Sequence, residues 1–323
     1  MIVMLFVFLA GVAILLYDFS YEESIFPASV GEIKIASPVV ERVDEVEPIV
    51  GTEIEPAFRN AISFNTLIPA QAKTVVVRVK SLGKPSAIFQ GKKVGFFEIS
   101  ENSWMGVFGI DVKASAGSSD FSLVFGDGET IVEKLVISAK NWPVTELVLN
   151  EELESQGYTP EGVATGIQVN ENRIIREVVA GYILEPYFDG VFIDPVPGRI
   201  VVGTFGNIRK SGSSGIQHLG TDLDAKKGDE VFAINNGKVV LAREDFPNYG
   251  KTVVIDHGLG IYSLYLHLSE IKVSVGQLVE RGKVIGLVGN TGYSLEPHLH
   301  FSMKVNGASV EPLGFIDAVN EGF

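Results

Sequence analysis

The sequence predicts a mainly β chain, with an N-terminal membrane helix, a small β-sandwich and a C-terminal antiparallel β-sheet domain that carries a groove. Three observations predict it. Thirty-five glycines fall between short runs of alternating apolar residues, the usual punctuation of strands and turns. From Thr74 the pattern has period two: Val75, Val77 and Val79 share one face, and Arg78 and Lys80 the other. A single uncharged run, Met1–Tyr17, stands apart from everything that follows. With 323 residues and 46% hydrophobic content the chain can bury one large core or two medium ones. Its formal charge of −14 argues against a nucleic-acid partner, because phosphate binding needs clustered Lys and Arg. It has no cysteine, so any metal must be held by His, Asp or Glu.

The elements follow in order. Residues 1–20 read as a signal-anchor or signal peptide that brings the chain to a membrane. The run is at the short limit for spanning hydrocarbon, no Lys or Arg precedes it, and no A-x-A-like site follows in DFSYEES. Those features favour an uncleaved anchor over a cleaved leader. Residues 21–66 are mixed and acidic, with VERVDEVEP at Val40–Pro48, and read as a linker with little regular structure. Residues 67–150 read as the sandwich. There Phe121–Phe125 meets Gly126-Asp127-Gly128 and alternation resumes over Thr130–Ser138, a hairpin pattern. No chemistry stands out in this stretch, which leaves spacing or contact with a protein partner as its role. Residues 151–194 form a partly helical connector: Thr159-Pro160 is a helix start, and Asn172–Leu184 has apolar residues at helical spacing. Residues 195–323 make the last domain, opened by Pro195-Val-Pro197-Gly198.

The chemistry gathers in that domain. In His298-Leu-His300 the two imidazoles lie on one strand face, about 6.6 Å apart along the chain. His218-Leu-Gly-Thr-Asp222 places an imidazole and a carboxylate four residues apart, roughly 13 Å in a regular strand, unless Gly220 allows a bend that brings them together. His218, Asp222 and one of the His298/His300 pair, with a water, would complete a tetrahedral zinc site that keeps an open position. His267 follows Tyr265 by two on an expected strand, which puts the two on one face. His257, at the Asp256–Gly260 turn, reads as structural. Gly228–Val240 and Gly276–Ile285 echo each other and read as two hairpins of one antiparallel sheet. The loops 246–250 and 290–295 read as groove walls, and Glu296 as a loop residue.

From about Gly203 to Pro312 the chain resembles the lysostaphin-type (LytM-like) zinc metallopeptidases. The matching pieces are Phe205-Gly206 with Arg209, His218-x-Gly-x-Asp222, Tyr265-Leu-His267-Leu268 and Pro297-His298-Leu-His300-Phe301, with Gly276–Gly286 as lead-in. The resemblance covers about a third of the chain. It implies one zinc per chain held by His218, Asp222 and His300, with His267 and His298 flanking the bound water and the scissile carbonyl. It implies a zinc-dependent endopeptidase acting on peptide cross-links or stem peptides of peptidoglycan, on the outer side of the cytoplasmic membrane in the periplasm or cell envelope. It also implies an immunoglobulin-like β-domain ahead of the peptidase, as in some relatives. The same repeat of strand-turn-strand units occurs in lipoyl and biotinyl carrier domains, but Lys238 and Lys283 lack a carrier's flanking pattern. The alternative to an enzyme is a zinc-bound or degenerate wall-binding regulator of other hydrolases. A degenerate relative should lack a ligand or a catalytic histidine, and none is missing here.

Overall fold

The computed structural model describes residues 58–212 and 214–323, so the expected membrane helix and most of the acidic linker lie outside the described residues. Among the described residues no helix is long and apolar enough to cross a membrane. The described residues form one compact unit. It opens with β1 (Ala61–Phe64), β2 (Thr74–Lys80), β3 (Ser86–Phe89) and β4 (Lys92–Val94). Then follow β5 (Phe96–Ser100), β6 (Ser103–Gly109), β7 (Gly117–Val124) and β8 (Thr130–Ile137). Two sheets result, ordered β1-β2-β6-β5 and β4-β3-β7-β8. Val75, Val77 and Val79 of β2 face Phe108, Phe121 and Leu123 in the space between them. β7 and β8 are the hairpin on either side of Gly126-Asp127-Gly128, in unbroken register. The first strand starts inside the stretch read as linker: Ile62 and Phe64 of β1 pack on the sandwich core, and every residue of β1 pairs with β2.

The other face of β2 is buried in part, at Thr74 and Val76, while Arg78 and Lys80 are exposed. Val76, with Phe97, Met105 and Val107, joins the core of the C-terminal part, beside Ala308, Val310, Phe315 and Val319. Arg78 on that face donates to the carbonyl of Gly322 at 3.2 Å. Period-two alternation thus serves two cores, one on each side of a single sheet.

The connector holds β9 (Val144–Glu146), α1 (Glu151–Ser155) and α2 (Pro160–Thr165), then a π-helical turn (Gly166–Glu171) and α3 (Asn172–Val178). Thr159 caps α2 by accepting from the Gly162 N–H. Helical spacing extends in sequence to Leu184, but α3 stops at Val178, just before the Ala180-Gly181 pair, where a glycine removes helix propensity.

The C-terminal part begins with β10 (Val201–Gly203), β11 (Ile208–Ser211), β12 (Ser214–Gln217), β13 (Thr221–Asp224) and β14 (Glu230–Phe232). It continues with β15 (Gly237–Phe246), β16 (Gly250–Asp256), β17 (Ile261–Leu268), β18 (Glu270–Ile271) and β19 (Leu278–Val279). It ends with β20 (Val284–Leu287), β21 (His298–Val305), β22 (Ala308–Val310) and α4 (Pro312–Asn320). The main sheet runs β10-β13-β21-β17-β16-β15-β19, with β22 on β21 and all its pairings antiparallel. The two echoing segments do not make two hairpins of one sheet. β15 pairs with β19 in the main sheet, whereas β14 pairs with β20 in a small sheet with β18. Crosswise pairing lets Val231 and Ile285, Val239 and Val279 all reach the same core.

Candidate metal centre and its groove

β21 is central in the main sheet, and its alternation sorts side chains cleanly. Leu299, Phe301, Met303 and Val305 are fully buried in the core, while His298, His300, Ser302 and Lys304 line a cavity of about 420 Å³ on the other face. On the neighbouring strand β13, Asp222 is the direct partner of His300. His218 lies beyond the end of β12, and the chain bends at Gly220 before β13 begins. The bend needs glycine for space: a Cβ there would sit 2.3 Å from His300 Nε2 and 2.5 Å from Ser302 Oγ. Gly203 is held by the same constraint, since its Cβ would lie 2.1 Å from Asp222 Oδ2.

The bend brings three donor atoms together. His218 Nε2 lies 2.9 Å from Asp222 Oδ1 and 3.0 Å from His300 Nδ1, and His300 Nδ1 lies 2.8 Å from Asp222 Oδ1. All three residues are buried. The far nitrogen of His218 is taken: Nδ1–H donates to the Thr204 carbonyl at 2.9 Å, which leaves Nε2 as a bare acceptor in the neutral ring. His300 Nε2 has Ser302 Oγ at 3.0 Å, and with Nε2–H donating there Nδ1 is bare too. Two imidazole lone pairs and a carboxylate oxygen, mutually within 3.0 Å, then converge with no hydrogen between them. Such a set repels itself unless a cation is shared, and its two nitrogens and one oxygen suit zinc. The donor set fits the metal.

Charge supports this. Burial works to raise the Asp222 carboxyl, but the imidazoles of His218, His298 and His300 around it outweigh burial and hold the group well below the ordinary carboxylate range. Its other oxygen accepts from Arg209 Nη2 at 3.2 Å, so the carboxylate is oriented from β11. Burial pushes His300 down to about 4, which keeps it an unprotonated donor at neutral pH.

His298 and His267 border the cluster, their rings 5.1 Å apart. His298 Nδ1–H donates to the Glu296 carbonyl at 2.7 Å, and Nε2 stands 3.5 Å from Asp222 Oδ1. Burial alone would lower His298, but the bond to and charge of Asp222 raise it above the ordinary value. His267 Nδ1–H donates to the Thr291 carbonyl at 2.8 Å, and burial, then the neighbouring His298 and His300, push it well below the ordinary value. His267 does not share the face of Tyr265. Tyr265 packs in the core with Phe301, whereas Leu264, Leu266 and His267 line the cavity. Four residues of β17, Tyr265 to Leu268, stand opposite three of β16, Val253 to Lys251, and His267 has φ of +61°. This β-bulge breaks the alternation and turns the imidazole into the groove.

His257 lies elsewhere, wholly buried. Its Nδ1–H donates to the Asn236 carbonyl at 2.7 Å, and Ser263 Oγ is 2.8 Å from Nε2. Both expected wall loops line the cavity, through Asn248 and Tyr249 on one side and Tyr293, Ser294 and Leu295 on the other. Sequence reasoning missed the rest of the wall: Val148, Ile167, Asn172 and Ile175 of the connector also line it. Tyr249 donates to the Asn172 side chain at 2.8 Å, and Tyr293 to the Val148 carbonyl at 2.8 Å. Arg209 was visible only as part of a motif, without its contact. Ser302 was visible in principle, two residues beyond His300.

Residues 216–312 match the profile described as peptidase family M23. Peptidoglycan DD-endopeptidase ShyB of Vibrio cholerae is 38% identical over 136 residues, which are 42% of this chain and 32% of that relative. Peptidoglycan DD-endopeptidase ShyA of the same organism is 45% identical over 96 residues, 30% of this chain and 22% of the relative. Lysostaphin of Staphylococcus simulans is 37% identical over 118 residues, 34% of this chain and 24% of the relative. The chain therefore spans about a third or less of the length of these curated relatives. A crystal structure from Pseudomonas aeruginosa that carries the peptidase M23 name superposes with a TM-score of 0.56 at 26% identity, covering 79% of this chain and 96% of that one. That likeness reaches well outside residues 216–312.

Proposed function

We propose, from the premise that residues 216–312 are a peptidase family M23 domain, that this chain is a zinc-dependent endopeptidase cutting peptide cross-links or stem peptides of peptidoglycan. The observation that carries the reading is the convergence of His218, Asp222 and His300 on one point in the lining of the cavity. His218 Nε2, Asp222 Oδ1 and His300 Nδ1 would hold one zinc ion. Bound there, zinc supplies Lewis-acid polarisation of a peptide carbonyl and a water of lowered pKa.

The remaining work falls to the chain's own side chains. His267 and His298 each tie Nδ1–H to a backbone carbonyl, so each presents Nε2 to the groove. One neutral Nε2 accepts the proton of the attacking water; the other, protonated, stabilises the oxyanion and passes a proton to the leaving amine. Tyr249 and Tyr293, fixed by their own hydrogen bonds to the connector, hold the walls apart and grip an extended peptide. Arg209 keeps Asp222 aimed.

The names of the relatives support peptidoglycan as the substrate and a position outside the cytoplasm, in the periplasm or cell envelope. We assign residues 1–17 to anchoring there; a mature protein whose N-terminus lies near residue 20 would overturn that assignment. The activity is tested by incubating purified full-length protein with isolated peptidoglycan, with zinc and with a chelator, and weighing the released muropeptides. Release with zinc that the chelator abolishes supports the reading, and the product masses name the bond. A zinc-loaded protein that binds the polymer and releases nothing would instead be the wall-binding regulator.

A further inference from the structure

Four positions beyond His300 on the same face of β21, about 13 Å along the strand, stands Lys304. It lines the same cavity as His298 and His300, toward the other end of β21 from His298. It is half-buried, and its ammonium donates to Ser309 Oγ. Among the described residues it makes no ion pair. Neither do Lys113 and Arg176, which line an adjoining recess that shares Ile167, Asn172, Ile216, Gln217 and Leu219 with the cavity and whose charges act on Lys304. The nearby acid, Asp111, is engaged otherwise: one oxygen accepts from the Ser309 N–H at 2.8 Å and the other from the Lys113 N–H at 2.9 Å.

Three cations against one carboxylate leave this end of the groove positive, in a chain whose formal net charge is −14. A lysine drawn into a groove without a matching anion is costly, and such a position is held where a ligand supplies the anion. Burial pushes Lys304 down to about 8; Asp111 works to raise it, and Arg176 and Lys113 lower it further. A carboxylate arriving beside it would reverse that balance.

We propose that Lys304, backed by Lys113 and Arg176, is a subsite for a free carboxylate of the substrate peptide, about four residue lengths of extended chain from the bond that is cut. The inference rests on the peptidase reading above and deepens it: the groove selects its peptide by charge as well as by shape. A free carboxylate rather than a neutral side chain is what the site discriminates, because an amide cannot replace the charge.

The test uses synthetic cross-linked stem-peptide dimers, one with all its carboxylates free and others with each in turn replaced by a carboxamide. Affinity for full-length protein is measured alongside kcat/KM, so the readout does not depend on turnover alone. One particular carboxamide should weaken binding to the unaltered protein by roughly 10-fold or more, and that loss should vanish in Lys304→Met. In the paired variant Lys113→Gln/Arg176→Gln, altered only at exposed positions, the same loss should shrink; this arm decides the matter if Lys304→Met does not fold. Equal discrimination by all three proteins would overturn the subsite while leaving the peptidase reading intact. Peptides that are neither bound nor cleaved by the unaltered protein would overturn both.

Discussion

Ser302 shows how a neighbour one hydrogen bond away fixes a proposed metal ligand. Its hydroxyl, 3.0 Å from His300 Nε2, receives the ring's N–H and so presents Nδ1 to Asp222 and His218. Ser302→Ala should weaken zinc binding by roughly 10-fold with the fold intact, the usual scale for removing such a partner; an unchanged zinc affinity by competition with a chromophoric chelator would show that the tautomer is set otherwise. The proposed ligands should behave differently from the flanking pair. His218→Ala, Asp222→Ala or His300→Ala should each lose most of the zinc, measured as metal per chain. His267→Ala and His298→Ala should keep about one zinc and lose on the order of 10²-fold in rate. Zinc lost from His298→Ala and kept in His300→Ala would reverse the assignment. Much of this cluster was legible in the sequence, because His298-x-His300 and His218-x-Gly-x-Asp222 are local patterns. The carbonyls of Thr204 and Thr291 that set the tautomers were not legible, since any residue supplies a carbonyl and only the fold selects which.

At the scale of the element, β17 and the echoing segments mark where reading the sequence fails. Alternation identified β17 as a strand, but a bulge depends on the register against β16, which no local pattern encodes. The bulge holds His267 in the left-handed region, at a cost on the order of 1 kcal/mol or more. His267→Gly should therefore be at least as stable as the parent in thermal melts while losing on the order of 10²-fold in activity. A variant of clearly lower melting temperature would mean that the imidazole is bound into the fold more firmly than its one bond to Thr291 implies. The crosswise pairing of β14 with β20 and β15 with β19 escaped for the same reason: two similar segments in sequence look like two independent hairpins, and only a shared core decides that they interlock.

Across the whole molecule, one sheet of the sandwich lends its outer face to the C-terminal core through Val76, Phe97, Met105 and Val107. Residues 58–323 should therefore unfold in a single calorimetric transition, and a chain cut to 195–323 should expose apolar surface and bind a hydrophobic dye. Two resolved transitions would show the halves to be independent. Stability should also fall in acid. Burial depresses His257 to about 4 from 6.5, so the fold favours its neutral form. That contribution is complete above pH 6.5 and is lost as pH falls toward 4, by about 3 kcal/mol in all. Glu171, raised mainly by burial, works the opposite way, destabilising as pH rises above its unfolded value. Denaturant unfolding between pH 7 and 4 checks the sum, and His257→Gln should flatten the slope. The ordering of side chains on β21 carries a last consequence, for how such a gene can vary in length. His298, His300, Ser302 and Lys304 face the groove only because each is an even step from the next, and Leu299, Phe301, Met303 and Val305 face the core for the same reason. A single inserted or deleted codon within this strand would exchange the two sets beyond that point, sending charge inward and hydrocarbon to the groove. Single-codon length changes are thus barred from eight consecutive residues, from His298 to Val305. In the loops that form the walls, at 246–250 and 290–295, the same events would only reshape what the groove admits.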